Sequence, residues 1–116
     1  MRRLKISVDF SEFPGARYYE DGSESGQQFY DTVLKAAYEK SVTEKELLII
    51  DLDGTAGYAS SFLSESFGRL AETFGAKNVL RNIQIISKDE PDWKKAILED
   101  YIPNANKRKY TEGLHA

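Results

Sequence analysis

Leu47-Leu-Ile-Ile50, closed by Asp51-Leu-Asp-Gly-Thr55, is the stretch whose reading decides the fold. Four apolar residues in a row, two of them β-branched, fit a strand buried on both faces in the middle of a sheet. The aspartates and glycine that follow stop it in a turn. Downstream, from Ser60 to Gly75, the spacing changes to Leu63, Phe67, Leu70 and Phe74, a helical stripe with Gly75 as its C-terminal cap. Asn82-Ile-Gln-Ile-Ile86 reads as another strand. Asp89-Glu-Pro91 opens a last helix, because proline is tolerated in the first turn and acids suit a helix N-terminus. Trp93, Ile97, Leu98 and Tyr101 form its inner face, and Pro103 stops it.

Upstream of the central strand, a helix is expected from about Gly26 to Lys40, with Phe29, Val33, Leu34 and Ala37 on one face. The small polar run from Asp21 to Gly26 delivers its start. Leu4, Ile6 and Val8 alternate with Lys5 and Ser7, the period of a strand with one buried face. Pro14-Gly15 is a turn signal, and a second strand, Ala16 to Glu20, is expected to pair back onto the first. The order is then ββαβαβα: an α/β fold with a roughly four-stranded mixed sheet and about three helices. Residues 1–103 make one domain, and 104–116, polar with a basic middle, are expected to be a flexible tail.

Composition removes several classes of function. A formal charge of −3, with acids and bases mixed along the chain, offers no broad positive field for a nucleic acid. Lys107-Arg-Lys109 is too short to supply one. The chain has no cysteine, so disulfides, thiol nucleophiles and thiolate metal sites are excluded. Its one histidine, His115, sits next to the C-terminus, a poor place for a general base or a metal ligand. The apolar stretch that begins the chain stops at Val8, too short for a signal peptide or a membrane span, so a cytoplasmic protein is expected.

Two resemblances compete for Asp51 to Thr55. Asp-x-Asp-Gly-Thr after an apolar strand is similar to the first motif of haloacid dehalogenase phosphatases. That resemblance implies Asp51 as nucleophile, Asp53 as acid/base and a Mg²⁺ ion, with Ser87 and Lys94 or Lys95 as lesser matches. About fifty residues precede the motif here, however, whereas that family begins with it, and no later apolar strand ends in paired acids to complete a magnesium site.

The second resemblance takes in more of the chain. Sulphate-transporter and anti-sigma-antagonist (STAS) domains carry apolar-Asp-Leu-x-Gly, then Asp-Ser-Ser-Gly-Leu opening a helix. Asp51, Leu52, Gly54, Ser60, Ser61 and Leu63 match that pattern, while Ala59 replaces the loop aspartate and Phe62 the glycine. Gly15-Ala-Arg17, Gly22, Ser25-Gly26 and Phe29, with Ser60-Ser-Phe-Leu-Ser-Glu-Ser-Phe-Gly68, make the chain look most like a bacterial STAS-like family of unknown function, over about residues 6–103. The resemblance implies a regulatory or protein-interaction module, without catalysis or cofactor, whose partner is a protein such as a kinase-like ATPase. In antagonist members the second serine is phosphorylated, and Ser61 stands there.

The candidate interaction residues are therefore Ser61, Ser60, Asp51, Asp53, Gly54 and Phe62. The structural alternative makes Ser60 or Ser61 a helix N-cap and places Phe62, Phe67 and Phe74 in the core. Arg17 is a possible anion contact or simply a surface residue. Gly22 to Gly26 lacks the lysine and spacing of a phosphate-binding loop and reads as a connector. A nucleotide or small-anion sensor stays open as a third class, because related sheets can hold small anions near loops such as Gly54 to Ser61.

Overall fold

The structure, a computed structural model, describes residues 2–106. Its centre is a parallel sheet of three strands, β1 (Arg2–Lys5), β2 (Leu48–Asp51) and β3 (Ile83–Ile86), in the order β1-β2-β3. Leu4, Ile50 and Ile85 lie side by side in the register, as do Leu48 and Ile83 below them. These five side chains are buried on one face. Arg3, Lys5 and Gln84, which alternate with them, are exposed on the other.

Five helices accompany the sheet among the described residues: α1 (Ile6–Asp9), α2 (26–43), α3 (Ser60–Phe74), α4 (Ala76–Asn82) and α5 (91–101). Both crossovers step the same way across the sheet, so right-handed connections place α2 and α3 on one face. There α3 packs against both α2 and α5. Phe29, Tyr30, Leu34 and Tyr38 of α2, Phe62, Leu63, Phe67 and Leu70 of α3, and Ile97 of α5 close the core over the strands. The two helices that flank α3 each widen into a π-helical turn, Tyr30–Leu34 in α2 and Ile97–Tyr101 in α5, and both turns contact α3.

The buried central strand, the helical stripe of α3 closed by Gly75, the strand after Asn82 and the helix after Pro91 stand as the sequence implies. The opening hairpin does not. The sheet is wholly parallel with three strands rather than mixed with four, because the chain leaves β1 at Lys5. The Asp9 carboxylate accepts the Lys5 N–H at 2.8 Å, and Phe10 and Ser11 donate to the Ile6 carbonyl, which coils residues 6–9 into one helical turn. Val8, expected inside, is consequently 75% exposed.

Ala16 to Glu20 is not a strand either. The carbonyls of Ala16 and Arg17 accept the N–H groups of Gly26 and Gln27, each at 2.9 Å, so this segment closes the start of α2. A short 3₁₀ turn, Tyr19–Asp21, follows it. α4 is an addition to the expected three helices, separated from α3 by Gly75 at φ 93° and anchored by the buried Val79. Beyond Pro103, Asn104 donates to the Asp100 carbonyl and Ala105 is buried in the core. The rest of the expected tail from Lys107, His115 included, lies outside the described residues. No described helix is long and apolar enough to cross a membrane.

Candidate functional site

All three strands point the same way, so the loops after Lys5, Asp51 and Ile86 gather at one edge of the sheet. In parallel sheets this carboxyl edge is where ligands and partners are usually met. Asp51 ends β2 there. Its Oδ1 accepts the Asp53 N–H at 2.9 Å, which starts the turn, and its Oδ2 lies 3.8 Å from Lys5 Nζ. Leu52, fully buried, donates its N–H to the Ile86 carbonyl and carries the ladder one residue further.

Asp53 reaches across to the loop after β3. Its carboxylate accepts the N–H groups of Lys88 and Asp89, both at 2.9 Å. Asp89 returns the contact, its Oδ2 accepting the Gly54 N–H at 3.1 Å. The two loops are thus clasped by reciprocal carboxylate-to-backbone bonds, the strong charge-assisted kind. Gly54 is required in this clasp. Its φ is 92°, and a Cβ there would lie 2.9 Å from Ser7 Oγ. Further along, Ala56 donates to the Glu12 carbonyl at 2.8 Å, tying the same loop to the one after α1.

Tyr58 anchors the end of the loop. Its hydroxyl donates to the Leu52 carbonyl at 2.7 Å, and its ring meets the Trp93 ring edge-on at 4.8 Å between centroids. Burial pushes its phenol well above the ordinary tyrosine value, and the charges of Asp51, Asp53 and Asp89 push in the same direction, partly offset by a bond with Thr55.

Immediately after it α3 begins. The N-cap is Ala59, in an extended conformation and without a side-chain cap. Its carbonyl accepts the N–H groups of both Phe62 and Leu63. Ser60 is exposed and Ser61 half-buried, and among the described residues neither hydroxyl nor either backbone N–H of this pair has a hydrogen-bond partner. The cap reading of these serines is therefore corrected: capping needs a side chain one residue before the helix, and that residue is alanine. The capping serine in this protein is Ser25, whose Oγ accepts the Gln28 N–H at 3.0 Å at the start of α2.

Phe62 turns inward. It is fully buried, stacked on Phe29 at 5.6 Å and tilted against Phe10 and Tyr58. Arg17 stands at the start of α2, where its carbonyl serves the helix and its guanidinium lies 5.9 Å from the Tyr18 ring centroid. Ser87 Oγ donates to the Glu90 carbonyl, and Lys94 and Lys95 are exposed on α5. No group of three or more His, Asp or Glu among the described residues could hold a metal ion. The structure thus brings Asp51, Asp53, Gly54, Ser60 and Ser61 onto one rim and puts Phe62 beneath it. The sequence alone does not point to Asp89, Glu12 or Tyr58, because their contacts join loops that only the parallel sheet brings together.

Compared with known families, residues 25–93, more than half of the chain, match the family described as a STAS-like domain of unknown function (DUF4325). The chain belongs to this family. The matched span of the STAS-like domain runs from the cap of α2 to the tryptophan that packs on Tyr58, and so includes the whole rim. Neither the curated proteins nor the solved structures gave a match.

Proposed function

We propose that this STAS-like domain is a non-catalytic, cytoplasmic docking module, that the rim from Gly54 to Ser61 is its partner-facing surface, and that phosphorylation of Ser61 by a kinase-like ATPase switches it. The single observation that carries the reading is the open start of α3. Among the described residues, Ser60 and Ser61 have hydroxyls and backbone N–H groups without a hydrogen-bond partner, at the positive end of a fifteen-residue helix. A phosphate on Ser61 finds donors and a favourable dipole there, so the modified state is stable. The same group adds negative charge to a rim that already carries Asp51, Asp53 and Asp89, and thereby alters what can dock on it. The clasp between Asp53, Gly54 and Asp89 holds the rim in shape before any partner arrives, which lowers the cost of binding.

The same bonds weigh against the phosphatase alternative. Asp53 spends its carboxylate on the backbone of Lys88 and Asp89, and Asp51 on the turn and Lys5, which are the tasks of structural residues. The start of α2 offers no anion cradle, because the donors of Gly26, Gln27 and Gln28 are already taken. A small-anion sensor, the other alternative, would use the loop before α3, and a thermal-shift screen with nucleotides and phosphorylated metabolites separates it from docking. Two measurements test the proposal. Ser61→Asp is expected to weaken binding to a kinase-like ATPase partner while the melting temperature stays nearly unchanged, and Ser61→Ala is expected to retain binding but resist phosphorylation. Hydrolysis of a simple phosphate ester in Mg²⁺, lost in Asp51→Asn, would overturn it.

A further inference from the structure

A cleft of about 470 Å³ opens at the other end of the molecule, where α2 finishes beside α4 near the amino ends of the strands. Its size is that of an ordinary small-molecule site. Tyr38 and Val42 come from the last turns of α2 and Phe74 from the end of α3, while Asn78, Arg81 and Asn82 come from one face of α4. A smaller recess of about 320 Å³ shares Val42 and Asn82 and extends toward Leu47. The apolar side is well defined: the rings of Tyr38 and Phe74 pack at 4.8 Å, and Val42 is left 45% exposed beside them.

The polar side is held in place by a chain of bonds. Asn78 Nδ2 donates to the Phe74 carbonyl at 2.9 Å, and Arg81 Nη2 donates to Asn78 Oδ1 at 2.6 Å, while Asn82 Nδ2 donates to the Tyr38 hydroxyl at 3.1 Å. Arg81 therefore has its guanidinium oriented by a neutral carboxamide. Among the described residues it has no acidic partner within ion-pair distance. The one acid that lines the cleft, Glu39, sits on the α2 wall.

The geometry points to a binding site for a small aromatic carboxylate, the ring lying against Phe74 and Val42 and the carboxylate on Arg81. A planar guanidinium that keeps free donors suits a carboxylate's two oxygens, and the aromatic pair with exposed valine suits a flat apolar body. This site is separate from the rim and does not depend on the docking reading. Its elements are connected to that rim all the same, since α2 runs from the cleft to the contact of Gly26 with α3.

Titration of the full chain with sodium benzoate, followed by amide NMR shifts, tests the site. Saturable shifts are expected, centred on Val42, Phe74 and residues 78–82. Affinity should fall about tenfold or more in Arg81→Gln, the loss of one charge-assisted pair, and benzyl alcohol should bind weaker than benzoate by a similar factor. Glu39→Gln should bind benzoate at least as well as the unaltered chain. The inference is overturned if benzoate gives no saturable shifts, or if Arg81→Gln, with an unchanged melting temperature, binds it equally well. Preferential binding of benzylamine would overturn it too, since Glu39 would then be the recognising group.

Discussion

The helices α2 and α3 start at the same edge of the sheet and pack on each other, yet their first turns are built in opposite ways. At α2, Ser25 caps the helix with its hydroxyl, and the carbonyls of Ala16 and Arg17 take the next two backbone donors. At α3, alanine stands at the cap position, and among the described residues the donors of Ser60 and Ser61 are left open. A helix start leaves four N–H groups without intrahelical partners, and the fold spends chain on covering one set and none on the other. Where donors are covered, the segment is structural. Where they stand open next to two hydroxyls, on a rim already fixed by the Asp53 clasp, an added negative charge would meet donors that no other group has taken.

The largest effect is expected where the two starts touch. Gly26 approaches the backbone of α3 so closely that a Cβ would lie 2.5 Å from the Phe62 carbonyl oxygen. Gly26→Ala must push the helices apart and should cost about 2–3 kcal/mol in urea unfolding. Next comes the clasp. Asp53→Ala removes the acceptor for Lys88 and Asp89 and should cost about 1–2 kcal/mol, with faster amide hydrogen exchange at those two residues and at Gly54. Equal protection in the variant would mean that the rim is held by Tyr58 and Trp93 instead. Smaller again is Ser25→Ala, which opens the sealed start and should cost about 1 kcal/mol. If Ser61→Ala costs as much, the two starts are not different in kind.

How much of this is legible in the sequence varies along the chain. Leu48, Ile49 and Ile50 declare a central strand because all three are apolar, as residues of a strand buried between two neighbours must be. The α3 stripe declares itself by its period. Leu4 keeps the strand its pattern announces, but Ile6 and Val8 mislead, because an alternation this short does not show where the strand stops. The deciding contact, Asp9 to the Lys5 N–H, is a side-chain bond that periodicity does not register. Ala16 and Arg17 mislead for a related reason: their backbone bonds go to a helix start rather than a strand, and carbonyls leave no trace in residue type. At the rim, the matching residues Asp51, Gly54, Ser60 and Ser61 could be named from sequence. That Asp53 accepts the Asp89 N–H while Asp89 accepts the Gly54 N–H could not, since the two loops are brought together only by the register of β2 and β3.

The smallest effect is the one that bears most directly on function. An acid introduced at Ser61 sits in the first turn of α3, where the helix dipole and the uncovered donors favour a negative charge by about 0.3–1 kcal/mol. Asp51, Asp53 and Asp89 on the same rim oppose it, so Ser61→Asp should be neutral to slightly stabilising against Ser61→Ala at low salt. Added salt should shrink the difference, because charges at an exposed helix start are screened within a Debye length. The matching acid at the sealed start, Ser25→Asp, should gain nothing beyond the cap bond the serine already makes. A double comparison of the four variants, read by chemical unfolding at two salt concentrations, isolates the open donors from general surface charge. A salt-independent loss at Ser61→Asp would show that the half-buried Ser61 side chain cannot carry a charge, and the proposed switch at Ser61 would fail.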